Sequence, residues 1–368
     1  MKNYLFISGI LFFVAGCARQ SHTPDAAFEG WEPFFTPPRN YVATYAAHPP
    51  VIDGDIDDEA WRAAAWTTEF RDIEGEDKPA PYYATRAKML WDDRYLYIAA
   101  HLADKHVWAA LTVRDQIIYA DNDFEVFIDP ANTTHNYYEF EVNAHNTMFD
   151  LFLTKPYRSG AYMLISWDSR GLQHAVKVHG TLNNPSDEDE GWTVEMAIPF
   201  DEMAQRPEDG EIWRLNFSRV EWDTYIADGK YVKQTDANGK TLPERNWVWS
   251  PTGAVNMHMP ERWGYIRFST LEAGAAGLPA FELPYAELQR QYLWLIFNRQ
   301  QRYHEEKGVY ASSLVDLNIP AEVFVAGKPN ILSLTATPQQ FAATIADTSG
   351  QKTLLNHEGL VREIRDRP

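Results

Sequence analysis

Carboxylates stand at four of five alternate positions in the segment DNDFEVFIDP, residues 121 to 130, with Phe127 at the fifth. Asp121, Asp123 and Glu125 fall on one parity, and Phe124 belongs to the alternate, apolar set. Successive side chains of a β-strand point to opposite faces, so the pattern predicts a strand with one apolar face and one face that carries a column of acids. Such a column has the chemistry to coordinate a cation, to accept hydrogen bonds from sugar hydroxyls, or to supply the acid pair of a glycoside hydrolase.

A second segment, YYEFEVNAHN at 137 to 146, repeats the arrangement with Glu139, Glu141 and Asn143 on one parity. The intervening PANTTHN is short enough for a hairpin. Pairing of the two strands brings the acids of both onto one surface, where like charges directly opposite each other are unfavourable. We therefore expect another group to offset their repulsion.

Three kinds of group could offset the repulsion between these acids. A cation such as Ca²⁺, which takes several oxygen ligands, would bind at the hairpin, with Asp121 and Glu139 as metal ligands. Basic neighbours on other strands, Arg86, Lys88 and Arg219, would form ion pairs. Sugar hydroxyls would donate hydrogen bonds to the carboxylates. A solvated acidic face crossed by a few salt bridges is the alternative that needs no ligand.

The elements that must position this hairpin are themselves short and rich in β-forming residues. PPVIDGDIDDEAWRAAAW predicts a short strand, a turn at Gly54 and a brief helix with Trp61 on its buried side. Many short strands with few helical repeats predict a mainly β fold, an antiparallel β-sandwich of two jelly-roll-like sheets, over residues 41 to 270. The segments with strand character are 85 to 91, 94 to 102, 122 to 129, 136 to 144, 148 to 154, 173 to 180, 191 to 198, 212 to 222, 246 to 250 and 263 to 269.

The composition changes at LEAGAAGLPA, residues 271 to 280, which we interpret as a linker. Apolar residues then recur at helical spacing between Pro284, which suits a first turn, and Gly308, which suits a helix end. The tail that follows has strand character. Residues 281 to 368 are therefore predicted to form a small α+β accessory region, a helix followed by strands.

The amino terminus, MKNYLFISGILFFVAGCARQ, has the pattern of an export signal, because Lys2 precedes an apolar run that is too short to span a bilayer. Its VAGC sequence resembles the lipobox of bacterial lipoproteins, and Cys17 is the single cysteine of the chain. We predict that residues 1 to 17 are a signal ending at lipidated Cys17 and that 18 to 40 form a tether. The predicted location is the bacterial cell envelope, at the outer membrane or periplasmic face.

The chain is acidic, with a net charge of −19, and removing the +1 of Lys2 with the leader leaves −20. Such a field repels nucleic acid and anionic lipid headgroups and favours a neutral or cationic ligand. Neutral sugars fit this requirement. The aromatic content of 14%, with 13 tryptophans, offers flat, partly apolar faces on which pyranose rings stack. An aromatic β-rich core is the alternative use of these rings.

Seven segments in order resemble the motifs of family 9 carbohydrate-binding modules: VIDGDIDDEAW, AKMLWDDRYLYIAAHLAD, DFEVFIDP, YYEFEVNA, GWTVEMAIPF, WRLNFSRVEW and PERWGYIRF. The resemblance spans residues 42 to 269. It implies a sandwich of two antiparallel sheets, structural calcium in some members, and a slot in which two aromatics sandwich a sugar while carboxylates, amides and basic groups hold its hydroxyls. It is especially close to exported, stand-alone relatives in carbohydrate-degrading bacteria.

The resemblance also assigns individual positions of the slot. The family's sugar-binding glutamate falls on Glu125, and its first aromatic falls on Tyr119. The basic residue of sugar-binding members falls on Glu141, which has the opposite charge, and the second aromatic falls near Met257 and His258.

Other residues of the acid face and its neighbours complete the predicted set of carbohydrate contacts. These are Asp123, Asn143 and Arg219, with Trp249 or Trp247 of NWVWSP as the missing aromatic platform. For both tryptophans a place in the core is the alternative.

The sequence has no G-x-S-x-G elbow, H-E-x-x-H helix or glycine-rich phosphate loop. It predicts a non-catalytic carbohydrate-binding lipoprotein that assists the capture of poly- or oligosaccharide, with glycan-degrading or import proteins as partners and no nucleic acid. No cofactor is predicted to be required, and structural Ca²⁺ is the optional one. A glycoside hydrolase with paired carboxylates is one alternative. A haem-b-binding electron-transfer sandwich is the other, because related sandwiches bind haem through Met and His, and NMHMPERW brings Met257, His258 and Met259 together.

Overall fold

The computed structural model describes residues 26 to 364. Cys17, the predicted export signal and residues 18 to 25 of the predicted tether lie outside the described residues. In the described part of the chain, no helix is long and apolar enough to cross a membrane.

Most of the described regular structure is β. The strands are β1 (Asn40–Tyr45), β2 (Arg71–Asp72), β3 (Thr85–Trp91), β4 (Tyr95–Ala103), β5 (Asp123–Asp129), β6 (Tyr137–Asn143), β7 (Met148–Leu153), β8 (Met163–Leu164), β9 (Gln173–His179), β10 (Gly191–Pro199), β11 (Ile212–Glu221), β12 (Thr224–Ala227), β13 (Lys230–Lys233), β14 (Arg245–Val248), β15 (Gly264–Glu272), β16 (Glu322–Val325), β17 (Lys328–Ala336), β18 (Phe341–Asp347), β19 (Lys352–Asn356) and β20 (Val361–Ile364). The α-helices are α1 (Glu59–Ala63) and α2 (Tyr285–Lys307), and short 3₁₀ helices lie at Ala26–Phe28, Glu32–Phe34, Ile118–Ala120, Tyr157–Ser159, Phe200–Met203 and Pro260–Arg262.

The strands before the linker form a sandwich. One half has the order β8-β7-β6-β5-β11-β15, the other has the order β3-β4-β10-β9, and β1 lies between β15 and β3. Alternate residues of both halves are apolar and pack into one core, where each fully buried side chain contributes about 1.5–3 kcal/mol. The core includes Phe124, Val126, Phe140, Trp213 and Phe217 from the first half and Met89, Ile98, Leu102, Trp192 and Met196 from the second.

The predicted mainly β sandwich is confirmed, and each of the ten numbered segments predicted as strands overlaps an observed one. The short strand predicted before the turn at Gly54 is wrong, because residues 46 to 58 contain no strand. The predicted separation into two antiparallel sheets differs at β1, which pairs in parallel with both β15 and β3. All of β1 pairs with β15, and its last two residues, Thr44 and Tyr45, also pair with β3 on the other side, so that β1 links the two halves. A continuous hydrogen-bonded sheet therefore joins the two halves.

The region after the linker is a helix packed on a small sheet. Helix α2 follows Pro284 and ends at Gly308, whose φ of 75° is the left-handed conformation that suits a helix end. The strands β16 to β20 form an antiparallel meander in sequence order. The predicted helix and the strand character of the tail are confirmed. The apolar face of the meander packs against α2.

A buried ionic cluster joins α2 to the sandwich. Glu287 of α2 lies 2.8 Å from a guanidinium nitrogen of Arg214 on β11 and 2.8 Å from one of Arg290. It also accepts hydrogen bonds from the Tyr265 hydroxyl and the Asn132 amide, each at 2.8 Å. Although burial acts to raise it, the two guanidiniums hold the pKa of Glu287 below its ordinary value.

The described part of the predicted tether packs against the folded chain. Phe28 and Trp31 are buried with the apolar residues of α2 and the meander. The Arg262 guanidinium donates to the carbonyl oxygens of Pro33 and Phe34. These residues fold back because packing there removes the apolar surface of their aromatic rings from water.

Candidate functional site

The predicted acidic hairpin is present and has the expected register. Glu125 of β5 lies directly opposite Glu141 of β6, and Asp123 lies opposite Asn143. The alternate residues of both strands point into the main core. The two strands therefore place their carboxylates on a common face, as their spacing predicts.

That face is buried, so the alternative of a solvated acidic surface is wrong. A second apolar cluster covers much of it, formed by Ile73, Ile118, Phe127, Tyr137, Phe149, Leu151, Leu153, Val248, Met257 and Trp263. Glu125, Glu139 and Glu141 are each no more than 5% exposed. The acids are therefore largely removed from water.

A cleft of about 490 Å³ opens above these acids, which form its floor. Its volume is within the range of about 300–1,000 Å³ that is usual for small-molecule sites. Four carboxylates line it together with rings and apolar side chains, and the main contributors are Glu125, Glu139, Glu141, Glu244, Tyr119, Tyr157, His258, Ile117, Met163, Ile165, Val255 and Met257. Such a lining can stack against a flat ligand and accept hydrogen bonds from its hydroxyls.

Tyr119 and Tyr157 are the two exposed rings of the cleft, at 46% and 42%. Tyr119 belongs to the 3₁₀ turn Ile118–Ala120, and its backbone N–H donates to Glu141 Oε2 at 3.1 Å. Tyr157 belongs to a 3₁₀ turn after β7 and packs edge-on against His258, with ring centroids 4.2 Å apart. The backbone of Tyr119 is thus held by the floor of the cleft, and the ring of Tyr157 is held by its wall.

Burial and mutual repulsion raise the pKa values of the carboxyl groups at the floor of the cleft. Burial raises the pKa of Glu125 to about 7, and burial together with the nearby Glu125 raises the pKa of Glu139 to about 8. Burial and Glu125 likewise raise the pKa of Asp123 and of Glu141. Carboxylate oxygens of Asp123, Glu125 and Glu141 lie within 4.8 Å of one another, and two unit charges at that distance repel by about 3.5 kcal/mol at an effective dielectric constant of about 20.

Among the described residues, neither lysine nor arginine lines the cleft. His258, which does, has its pKa lowered to about 3 by burial, so its ring is neutral at physiological pH. Its Nδ1 lies 2.9 Å from the Tyr137 hydroxyl. The charge of the acids is therefore not offset by a cationic side chain within the cleft.

The structure brings together part of the residue set predicted from sequence. Tyr119, Glu125, Glu141 and His258 line the cleft, and so does Glu139, which was predicted as a metal ligand.

Three other predicted residues lie beside or beneath the cleft. Asp123 is fully buried next to its floor. Asp121 accepts backbone N–H groups from Ala110 and Leu111, both at 2.8 Å. Asn143 donates to Asp121 at 3.0 Å. Asp121 and Asn143 thus hold the loop before β5.

Arg219 and Trp249 lie on the opposite face of the sheet from the cleft. Arg219 is the direct partner of Phe124, which points into the main core, and it is fully buried in ion pairs with Glu221 at 2.7 Å and Asp104 at 3.4 Å. Trp249 is 1% exposed within that core, and Trp247 is also buried there. Direct cross-strand partners share a face, so neither the guanidinium nor these rings point toward a ligand in the cleft.

Sequence reasoning missed Tyr157, Met163, Ile165 and Glu244 as cleft residues. Tyr157, Ile165 and Glu244 lie in turns and loops, and Met163 lies in the two-residue strand β8. Hydrophobic periodicity carries no signal in such short segments. The available signal for Tyr157 was an aromatic in a short connection directly after the strand that neighbours β6.

The comparisons with known proteins concern the sandwich. A family model described as "Carbohydrate family 9 binding domain-like" matches residues 52 to 267. The chain is 27% identical over 212 residues to an exoglucanase XynX of Acetivibrio thermocellus and 26% identical over 212 residues to an endo-1,4-beta-xylanase A of Thermoanaerobacterium saccharolyticum. Each alignment takes in 58% of this chain, and it spans 16% and 15% of the respective relatives.

A solved structure is also similar to the sandwich. It is a family 9 carbohydrate-binding module from Caldicellulosiruptor kristjanssonii in complex with cellotriose, 17% identical, with a TM-score of 0.42. The alignment covers 66% of this chain and 100% of that one.

Proposed function

Because the chain belongs to the carbohydrate family 9 binding domain-like family, we propose that it is a non-catalytic lipoprotein that captures poly- or oligosaccharide at the bacterial cell envelope. The cleft that combines the Tyr119 and Tyr157 rings with the carboxylates carries this proposal. Rings stack on the apolar face of a sugar, and carboxylates accept hydrogen bonds from its hydroxyls. Each polar contact exchanges with water at a net gain of about 0.5–1.5 kcal/mol, so binding is weak for each sugar ring.

The shape of the surface supports a ligand longer than one ring. A second groove of about 280 Å³ continues from the cleft and shares Ile73, Glu244, Asn246 and Val255 with it. A chain of sugars would therefore extend from the cleft into the groove, whereas a single sugar would occupy the cleft alone.

The charge of the two sites supports a neutral or cationic glycan. Carboxylates line both, and Arg245 in the groove is paired with Asp223 at 2.7 Å. Uronic acids and sulfated sugars would be repelled by this surface, because like charges brought together in a partly buried site are unfavourable. Neutral sugars and amino sugars would bind to this surface without that repulsion.

The cellular setting of the proposal depends on Cys17. A lipid on that residue would anchor the chain at the outer membrane or periplasmic face, where glycans arrive and where degrading or import proteins would receive them.

Glycan-array screening of the purified chain, followed by calorimetric titration of the best ligand, tests this function. We expect Tyr119→Ala to weaken binding by about two- to twelvefold, because stacking is worth about 0.5–1.5 kcal/mol beyond buried area. Glu125→Ala should weaken it as well. The control is Tyr225→Ala, which removes a ring of similar exposure (49%) from β12, away from the cleft.

The absence of binding to any glycan, or binding that survives both cleft substitutions in a folded protein, would refute the proposal. Release of sugar from the bound glycan would instead support the glycoside hydrolase alternative. A haem absorption band in the purified sample would support the electron-transfer alternative.

A further inference from the structure

We propose that Asp123, Glu125 and Glu141 bind a calcium ion at the floor of the cleft, and that two hydroxyls of the bound sugar coordinate this ion directly. This inference rests on the proposed function, which it deepens by making carbohydrate binding dependent on calcium. The three residues come from neighbouring strands, with Glu125 directly opposite Glu141 and Asp123 two positions earlier on the same face.

The spacing of the three carboxylates fits one ion. Calcium binds oxygen at about 2.3–2.6 Å, so two ligands of the same ion lie at most about 5 Å apart. One oxygen from each of Asp123, Glu125 and Glu141 satisfies this limit, since all three lie within 4.8 Å of one another. Calcium takes six to eight oxygen ligands and tolerates irregular geometry, so these residues would leave further positions open.

An unsatisfied oxygen atom gives independent support. Asp123 is fully buried, and its Oδ1 accepts the Val220 N–H at 3.2 Å. Within residues 26 to 364 its Oδ2 has no hydrogen-bond partner. A buried acceptor without a donor is destabilising, and a bound cation would remove that penalty.

The arrangement of the three residues would leave the open coordination positions of the ion facing the cleft, where the sugar binds. Glu125 and Glu141 line the cleft, whereas Asp123 lies behind its floor. An ion between them would have protein oxygens behind it and the cleft in front. Neighbouring hydroxyls of a sugar are hard oxygen ligands of the kind that calcium prefers.

Among the described residues no lysine or arginine of the cleft lining competes for this place. Lys233, near the loop before β5, is already engaged by the Ala120 carbonyl at 2.5 Å and by the Trp222 ring at 3.4 Å.

The rival explanation is that the carboxyl groups share protons and need no ion. It is consistent with the raised pKa values of Glu125 and Glu139. Asp123→Asn distinguishes the two, because the amide oxygen can still accept from Val220 while the negative charge is lost. Since Asp123 does not line the cleft, the substitution removes no direct contact with a sugar.

Calcium binding is measured first, without any glycan, by calorimetry and by thermal unfolding in EDTA and in CaCl₂ at matched ionic strength. We expect a Kd of about 10⁻⁴–10⁻³ M, as in extracellular calcium modules, and a rise of Tm with calcium. Asp123→Asn should weaken calcium binding by about 10–100-fold or more, because loss of even an outer partner of a ligand has an effect of that size. In EDTA its Tm should equal or exceed that of the wild type, because one repelling charge is gone.

The matched control is Asp201→Asn, which removes an exposed carboxylate far along the chain from the hairpin and should keep the full calcium response. A wild-type chain that neither binds calcium nor changes Tm, or an Asp123→Asn chain that binds calcium normally, would overturn the inference.

Glycan titration in CaCl₂ and in EDTA then separates this inference from the proposed function. We expect binding in calcium that is lost in EDTA and lost in Asp123→Asn. Glycan binding that is equally tight in EDTA and in Asp123→Asn keeps the proposed function and overturns the calcium inference. Calcium binding without glycan binding in either buffer overturns the proposed function and the sugar-coordinating half of this inference together.

Discussion

The ionic cluster that joins α2 to the sandwich gives a stability prediction whose size follows from its geometry. Glu287 is 5% exposed, and the side chains of Arg214 and Arg290 are 6% and 12% exposed. Opposite charges about 4 Å apart attract by about 4 kcal/mol at an effective dielectric constant of about 20, and desolvation offsets part of this. Glu287→Ala leaves two buried guanidiniums without their carboxylate. We expect it to lower the free energy of unfolding by about 3–5 kcal/mol, the range for breaking a buried pair.

Urea unfolding followed by tryptophan fluorescence and circular dichroism measures this change. Glu287→Gln, which keeps the shape but not the charge, should cause a smaller loss. Glu306→Gln on the exposed face of α2 is the control and should change the free energy of unfolding by less than about 0.5 kcal/mol.

The pH dependence of the same experiment has a defined sign. The pKa of Glu287 in the folded chain is lower than its ordinary value of 4.5. The contribution of Glu287 to the free energy of unfolding is therefore complete above that ordinary pKa. It is lost as the pH falls through the lower pKa of the folded chain. The gap in stability between wild type and Glu287→Gln should be constant from about pH 7 to pH 5 and should shrink below about pH 4.5. A gap no larger than that of Glu306→Gln, or one that does not shrink in acid, would refute the reasoning.

Two further predictions concern the anchor and the cleft. Cys17→Ser should move the chain from the membrane fraction to the soluble fraction and alter its processing; unchanged partition and processing would contradict lipidation. Tyr157→Ala should weaken glycan binding by about two- to twelvefold, as loss of a stacking ring does, whereas Tyr162→Ala, which removes a 75% exposed ring outside the cleft lining, should not. Equal effects of the two tyrosine substitutions in calorimetric titration would show that Tyr157 is not a platform.

Much of the fold could be predicted from residue alternation, but some predicted contacts were assigned to the wrong face of a strand. Trp213, Leu215 and Phe217 share their parity with Arg219, and all four belong to the core side of β11. Arg219 was predicted to lie with the acids, as one of the carbohydrate contacts. It is buried because Glu221 and Asp104, residues that sequence spacing does not bring together, supply its counter-charges.

The aromatic platforms show a similar limit. Val248 packs under the cleft and Trp249 packs in the main core, so the alternation of β14 continues into the following residue and turns the tryptophan away from the ligand. Tyr157, which does face the cleft, lies in a turn whose direction depends on packing against His258.

The sequence by itself determined that residues 123 to 129 and 137 to 143 pair as a hairpin with acids on one face, because strand period and a short connection leave few other arrangements. Only the tertiary structure decided that this face is buried. Met257 and Trp263, far along the chain, cover the acids, and Tyr157 forms the wall beside them. Removal of the carboxylates from water is what raises their pKa values and leaves Asp123 Oδ2 unsatisfied. Desolvation depends on which distant residues pack over a site, and periodicity within one segment does not encode that.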